Sequence, residues 1–155
     1  MRQGNAIGED GLRSVVLLVL QFLMLLLLIW PWTAPTVHLA AAVGLLAGIG
    51  VGLWALSANR PGNFNLRPAV KKGAQFITSG PYAHVRHPMY TALLLFGAGL
   101  VLLYMDWIKA LCWICLLVVL NAKARIEENA MALRFPGYRD YAAMTGKFLP
   151  RMLLG

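Results

Sequence analysis

Two clusters of polar and ionisable side chains stand out in a chain that is otherwise strongly apolar. The first is Ser79-Gly-Pro-Tyr-Ala-His-Val-Arg-His-Pro-Met-Tyr90, which leads directly into an apolar run. The second, Arg125-Ile-Glu-Glu128, follows the last apolar run. Ionisable groups are costly to place at the mouth of a membrane segment, so their presence there indicates function. We predict that the two clusters meet and form one site.

The second cluster has a simpler explanation when it is taken alone. Charged residues on a helix that has just left a membrane commonly form a solvated face, and only the match with the first cluster favours a site. Adjacent helical residues point about 100° apart. We therefore expect at most one of Glu127 and Glu128 to face the site.

Composition places the chain among membrane proteins. Its 155 residues are 59% hydrophobic, and the mean hydropathy is +0.65, which exceeds the apolar share of ordinary soluble domains. The net charge is +8, with 14 Lys and Arg against 6 Asp and Glu. These basic residues flank apolar runs, which favours a role in membrane topology and contact with lipid headgroups over nucleic-acid binding. The length fits one domain, residues 1–155.

Four apolar runs predict a polytopic, all-α membrane helix bundle with about four transmembrane helices. The runs lie at about 14–30, 37–57, 89–105 and 107–121, and the first is interpreted as a retained span and not a signal peptide. Strong helix formers after Asn121 predict that the fourth helix continues beyond the membrane. A short helix is expected from Tyr138 to Met144, and the Tyr104–Trp107 stretch is expected to form a tight hairpin.

Several residues inside these runs are predicted to serve packing. Gly44, Gly48 and Gly52 recur every fourth residue and would let another helix approach closely. Gln21 is expected to make an interhelical hydrogen bond. Cys112 and Cys115 lie in an apolar setting, so we interpret them as small packing residues, and we predict no metal site.

The distribution of basic residues predicts the orientation. The loop between the second and third runs and the tail after the fourth carry most Lys and Arg residues, whereas the other two loops hold only Asp106 and Lys109. By the positive-inside rule, the basic loop and the tail are cytoplasmic. Both polar clusters then lie on the same side, and the site would face the cytoplasm of a bacterial or archaeal inner membrane.

The two clusters, together with Phe135-Pro-Gly-Tyr138-x-x-Tyr141 and Pro150, resemble the isoprenylcysteine carboxyl methyltransferase family of integral membrane methyltransferases, which are related to phospholipid methyltransferases. The resemblance covers roughly the second half of the chain. An Arg-His-Pro-x-Tyr box followed by a Glu-Glu pair and spaced tyrosines is a fairly specific combination.

The resemblance implies a cytoplasmic C-terminal part that binds S-adenosylmethionine, built from residues 74–90 and 121–151. Arg125, Glu127 and Glu128 would be the catalytic residues, and Arg125 and Arg86 would bind the substrate. Ala92 stands where the family often has glycine. By similarity, the cofactor-binding residues would be Gln75, Phe76, Ile77, Tyr82, His87, Pro88, Met89, Tyr90 and Glu128.

Methyl transfer from a sulfonium requires alignment of donor and acceptor and exclusion of water. A carboxylate acceptor needs a cation to hold it, and Arg125 could bind it with two parallel hydrogen bonds. An amine acceptor needs a base, which Glu127 or Glu128 could provide. The leading hypothesis is methylation of a lipophilic carboxylate, as in isoprenylcysteine O-methylation, with S-adenosylhomocysteine as the product. The alternative within this class is N-methylation of a phospholipid or a small amine.

The sequence leaves two other classes of function open. The chain could be a non-enzymatic partner subunit whose glycine stripe docks the helix of another protein. It could also be a membrane reductase that uses a nicotinamide cofactor, although no cluster for a 2′-phosphate is found. The expected partners are a lipophilic methyl acceptor and membrane lipids, with no nucleic acid.

Overall fold

The fold is helical throughout the part of the chain that the computed structural model describes, which is residues 2–36, 38–59 and 77–151. No β-strand occurs in these ranges, and one parallel bridge joins Val85 to Gly146. This confirms the predicted all-α class. A 3-10 turn occupies Gly80–Ala83, and the α-helices are α1 (Arg2–Ile29), α2 (Leu39–Ala58), α3 (Pro88–Tyr104), α4 (Trp107–Arg134) and α5 (Tyr138–Met144).

Three of these helices are long and apolar enough to cross a membrane: α1 from Gly11, α2 and α4. The run predicted as the third span forms α3, which is apolar but has only 17 residues, fewer than the about 20 of a typical span. The described helices indicate an integral membrane protein. The four predicted spans correspond to three helices of spanning length and one shorter apolar helix.

The helix boundaries follow the predicted runs except at the N-terminus. Helix α1 begins at Arg2, before the apolar run, and its part of spanning length and hydropathy, Gly11–Ile29, lies close to the predicted span at about 14–30. Helix α4 continues to Arg134 and α5 spans Tyr138–Met144, both as predicted. The tight hairpin is also confirmed, with Met105 in the left-handed region (φ 47°).

Helices α2 and α3 pack with their backbones in close contact along the glycine stripe. A Cβ atom at Gly48 would lie 2.6 Å from the backbone nitrogen of Phe96, and one at Gly44 would lie 2.9 Å from the Cα of Gly99. The predicted packing role is confirmed at these two glycines, whereas a Cβ at Gly52 would make only an ordinary contact at 3.5 Å. The chain's own α3 therefore occupies the stripe.

Helices α1 and α4 pack around a buried apolar core and are joined by two lysines. Lys123 donates to the Oε1 of Gln21 at 2.6 Å, which confirms the predicted interhelical hydrogen bond. At the other end of α4, Lys109 donates to the carbonyls of Leu28 and Trp30 at 2.5 and 2.6 Å. The Lys109 ammonium thus satisfies carbonyls that the end of α1 leaves without intrahelical partners.

Replacement of Gly48 by alanine tests the close packing of α2 on α3. We expect Gly48→Ala to destabilise the protein by about 1–3 kcal/mol, because the added methyl group meets backbone atoms that cannot move away. Gly50 is the matched control, since it lies on the same helix with nothing within 4 Å of an added Cβ. Gly50→Ala should leave stability unchanged or raise it by up to about 1 kcal/mol. The measurement is the melting temperature in detergent; equal values for the two variants would contradict the packing.

Candidate active site

Arg86 connects three segments of the chain at the end of the bundle where α3 begins. Its Nε donates to the Oε1 of Glu128 at 2.8 Å, and this contact is also an ion pair. Its Nη1 donates to the carbonyl oxygens of Ala142, at 2.8 Å, and of Thr145. Hydrogen bonds from a guanidinium group are strong because the donor is charged. The loop before α3, the end of α4 and the end of α5 are thereby held together.

His87 lies between the two glutamates of α4. Its Nε2 is 3.1 Å from the Oε1 of Glu128, and its Nδ1 is 3.4 Å from the Oε2 of Glu127. An ionised carboxylate only accepts hydrogen bonds, so both contacts are satisfied together by an imidazolium ring. Burial lowers the pKa of His87, but the hydrogen bonds and charges of both glutamates outweigh burial, and the pKa is raised above 6.5.

The expectation that at most one glutamate faces the site is wrong. Glu127 and Glu128 do point in different directions from α4, but the two nitrogens of the His87 ring also point in different directions. The ring therefore reaches both carboxylates. Both glutamates therefore take part in the site through one imidazole ring.

Aromatic rings cover one side of the imidazole. The Tyr90 hydroxyl donates to the Oε1 of Glu127 at 2.6 Å, and its ring stacks on that of His87 with centroids 5.3 Å apart. Phe148 meets both rings edge-on, at centroid distances of 6.1 and 6.4 Å. The ion pairs are thus shielded from water on this side, which strengthens them.

The segment after α5 holds the loop in place through its backbone. The amides of Arg86 and His87 donate to the carbonyls of Gly146 and Lys147 at 2.8 and 3.1 Å. A Cβ atom at Gly146 would lie 1.6 Å from the carbonyl oxygen of Leu149, so only glycine fits. These backbone contacts were not predicted from the sequence, since pairing of this kind requires no particular side chains.

Two side-chain contacts of the same segment, one made by Lys147 and one made to it by Thr91 of α3, complete the site and were also missed. Lys147 places its Nζ 3.5 Å from the Oε2 of Glu128 and 3.1 Å from the Oδ1 of Asn121. Thr91 donates to the carbonyl of Phe148 at 2.7 Å. The turn residues around Gly146 were the feature of the sequence that could have indicated a role for this segment. Six side chains are joined by the contacts described above, and we refer to them together as the charged cluster: Arg86, His87, Tyr90, Glu127, Glu128 and Lys147.

The spaced tyrosines lie beside the charged cluster. The Tyr141 hydroxyl donates to the carbonyl of Tyr82 at 2.6 Å, and Tyr138 is buried next to it. Burial raises the pKa of Tyr141 to about 12 and also raises that of Tyr138. Burial, and then the charge of Glu127, raise the pKa of Tyr82. All three phenols therefore stay protonated at neutral pH.

The remaining predicted site residues are placed as follows. Pro88 is buried and begins α3, and Met89 and Ile77 are half-buried. Gln75 and Phe76 lie outside the described residues. Arg125 is exposed, and within the described ranges it joins none of the ion pairs of the charged cluster. The structure thus brings His87, Tyr90, Arg86 and both glutamates together without Arg125.

This arrangement offers carboxylate oxygens that can accept from ammonium or hydroxyl groups, and aromatic faces that can contact a planar ring. Within the described residues, no group of three or more His, Cys, Asp or Glu side chains could hold a metal ion.

Comparison with known proteins gives one family match. Residues 41–134 match the model of the isoprenylcysteine carboxyl methyltransferase (ICMT) family, a range that contains His87, Glu127 and Glu128.

Two curated proteins are similar over 85 residues, which is 54% of this chain. The nickel-cobalt-cadmium resistance protein NccN of Alcaligenes xylosoxydans xylosoxydans is 29% identical. The cobalt-zinc-cadmium resistance protein CzcN of Cupriavidus metallidurans is 33% identical. The matched stretch covers 40% and 39% of these relatives, respectively.

The raised pKa of His87 predicts a pH-dependent contribution to stability. The charged ring stabilises the folded state fully below pH 6.5, its ordinary pKa, and this contribution is lost as the pH rises through the folded-state value. The difference in melting temperature between wild type and His87→Asn should therefore be largest at acidic pH and shrink at alkaline pH.

The control for this prediction removes the charges that raise the pKa. In a Glu127→Gln/Glu128→Gln background, the stabilisation by His87 at acidic pH should disappear or reverse in sign, because neither neighbour is ionised and burial alone lowers the pKa of the ring. A difference that stays constant with pH in the wild-type background, or grows as the pH rises, would contradict the assignment of an imidazolium.

Proposed function

We infer that this chain, which belongs to the isoprenylcysteine carboxyl methyltransferase family, is a membrane methyltransferase that uses S-adenosylmethionine to methylate a lipophilic acceptor. The observation that carries this proposal is the position of His87 between Glu127 and Glu128 at the entry of an apolar helix. Family membership supports a membrane methyltransferase in general. The charged cluster supports a cofactor site at this end of the bundle.

The proposed cofactor site is built around the charged cluster. S-adenosylmethionine, when bound, supplies the electrophilic methyl group. Glu128 and Glu127 would accept hydrogen bonds from its ammonium or hydroxyl groups, and His87 would keep both carboxylates in position. The other proposed contacts come from the loop and the start of α3, and they involve Gln75, Phe76, Ile77, Tyr82, Pro88, Met89 and Tyr90.

The proposed acceptor is a carboxylate on a hydrophobic chain, as in isoprenylcysteine O-methylation. Such an acceptor is already nucleophilic at neutral pH, so no proton has to be removed. The chain's own residues need only hold it, align it and exclude water. The substrate-binding roles of Arg125 and Arg86 remain predictions, and Arg86 already donates to three acceptors inside the protein.

N-methylation of a phospholipid or a small amine is the second candidate. The observation that favours it is the pair of carboxylates in the charged cluster, because an amine must lose a proton on methylation. Glu127 and Glu128 are the candidate bases. A lipid extract incubated with the protein and isotopically labelled S-adenosylmethionine distinguishes the two reactions, since mass spectrometry identifies the methylated product.

We propose that residues 1–155 form one domain in a bacterial or archaeal inner membrane, with the charged cluster facing the cytoplasm and α3 crossing as a fourth, short span. The acceptor would enter sideways from the bilayer and the cofactor from the aqueous side. The non-enzymatic alternative is weakened, because the glycine stripe that suggested docking of another protein packs against α3.

Calorimetric titration with S-adenosylhomocysteine tests the proposed cofactor site. We expect the detergent-solubilised wild type to bind, and His87→Ala/Glu128→Ala to lose at least about tenfold in affinity, the order expected for loss of one charge-assisted hydrogen bond. Asp140→Ala is the matched control, because it removes an exposed carboxylate outside the charged cluster. Failure of the wild type to bind, or undiminished binding by the double variant, would contradict the proposal.

A further inference from the structure

Lys123 is a buried cation that forms no ion pair with a carboxylate in the described residues. Its side chain is 3% exposed. Within the described residues its ammonium group donates to the Oε1 of Gln21 at 2.6 Å and lies 5.4 Å from the centroid of the Tyr90 ring. No carboxylate there lies within ion-pair distance of it. A neutral amide oxygen and an aromatic face are weak partners for a buried positive charge, which normally requires an anion.

The position of Lys123 on α4 directs it into the bundle. Side chains on a helix tilt toward its N-terminus, which for α4 is the end opposite Glu127 and Glu128. The ammonium group accordingly meets Gln21, in the middle of the apolar run of α1. A long basic side chain near a membrane surface usually extends toward water. Lys123 extends the other way, and an ionisable residue so placed indicates function.

The other cations nearby have partners or lie in water. Arg86 and Lys147 both contact Glu128, and each has further acceptors. Arg125 is exposed. Lys109 is buried as deeply as Lys123, but it donates to two carbonyls at the end of α1 and has a structural role. Lys123 is thus the buried cation of this end of the described bundle that forms no ion pair, since Glu127, one turn further along α4, is engaged by Tyr90 and His87.

We propose that Lys123 binds the carboxylate of the lipophilic acceptor, where α1, α3 and α4 meet. This inference rests on the proposed methyltransferase function and deepens it, because it assigns a residue inside the bundle to the carboxylate of the acceptor. Tyr90 connects the two sites: its ring faces Lys123, and its hydroxyl bonds Glu127 of the charged cluster. Gln21 provides a second polar group that can donate to a bound carboxylate through its amide.

A pair of photoaffinity probes tests this assignment. The probes are a 16-carbon fatty acid carrying a diazirine and an alkyne, and its primary amide, which has the same shape but no charge. The protein is kept in lipid nanodiscs with S-adenosylhomocysteine present. We expect the acid to label the wild type about tenfold more efficiently than the amide, the order expected for one charge-assisted hydrogen bond. Equal labelling of the wild type by both probes would overturn the proposal without recourse to any variant.

Variants then locate the source of the preference. Lys123→Met should abolish it and Lys123→Arg should retain it. Arg134→Met, which removes an exposed cation further along α4, should also retain it. A preference that survives Lys123→Met, or that is lost in Arg134→Met, would overturn the assignment. Stronger competition by an unlabelled alkyl phosphate than by the unlabelled acid would also overturn it, in favour of a phospholipid headgroup.

Calorimetry on the same preparations separates this inference from the proposed function. Binding of S-adenosylhomocysteine without a preference for the acid would leave the methyltransferase proposal in place and remove Lys123 from it. A preference for the acid that depends on Lys123, without binding of S-adenosylhomocysteine, would support the anion site and contradict the proposed function.

Discussion

The ion pair between Arg86 and Glu128 is the contact on which the geometry of the charged cluster depends. One guanidinium group, at 2.8 Å from the carboxylate, also donates to carbonyls at the end of α5 and just beyond it. These partners belong to segments that are far apart in sequence, so their relative positions are set by one planar side chain. His87, the next residue, is held between the two glutamates as a result. Arg86 is therefore better understood as a positioning residue than as a group available to a substrate.

The length of α4 explains how a membrane bundle can carry such a polar cluster. Its 28 residues extend about 42 Å at 1.5 Å per residue, compared with a hydrocarbon core of about 30 Å. The first part of the helix packs against α1 through apolar residues, and the last part presents Glu127 and Glu128 to the loop that precedes α3. Because the helix is continuous, the carboxylates have a fixed position relative to the bundle. A single element thus connects the apolar interior, where an acceptor would bind, to the polar end, where a cofactor would bind.

The sequence was sufficient to predict the helices and the meeting of the two clusters, but not the contacts within the site. Apolar runs and helix formers predicted α2, α4 and α5 to within a few residues, and the spacing of Gly44 and Gly48 predicted a close helix contact. Periodicity on one helix, however, does not show what packs over it, so the engagement of both glutamates by His87 was missed. The segment from Thr145 to Phe148 acts largely through backbone carbonyls, which no side-chain pattern records. Lys109 and Lys123 were not singled out, because the direction of a long basic side chain depends on its neighbours in space.

The contact of Lys109 with the end of α1 has a consequence for biogenesis. The acceptor carbonyl of Leu28 and the donor ammonium lie 81 residues apart in the chain. A nascent polypeptide that has inserted only its first two helices would leave these carbonyls without their ammonium partner. The end of α1 obtains this partner only when α4 enters, because α1 packs mainly against α4 whereas α2 packs against α3. Insertion of α4 would then complete the helix pair that it forms with α1, and the same helix carries Glu127 and Glu128.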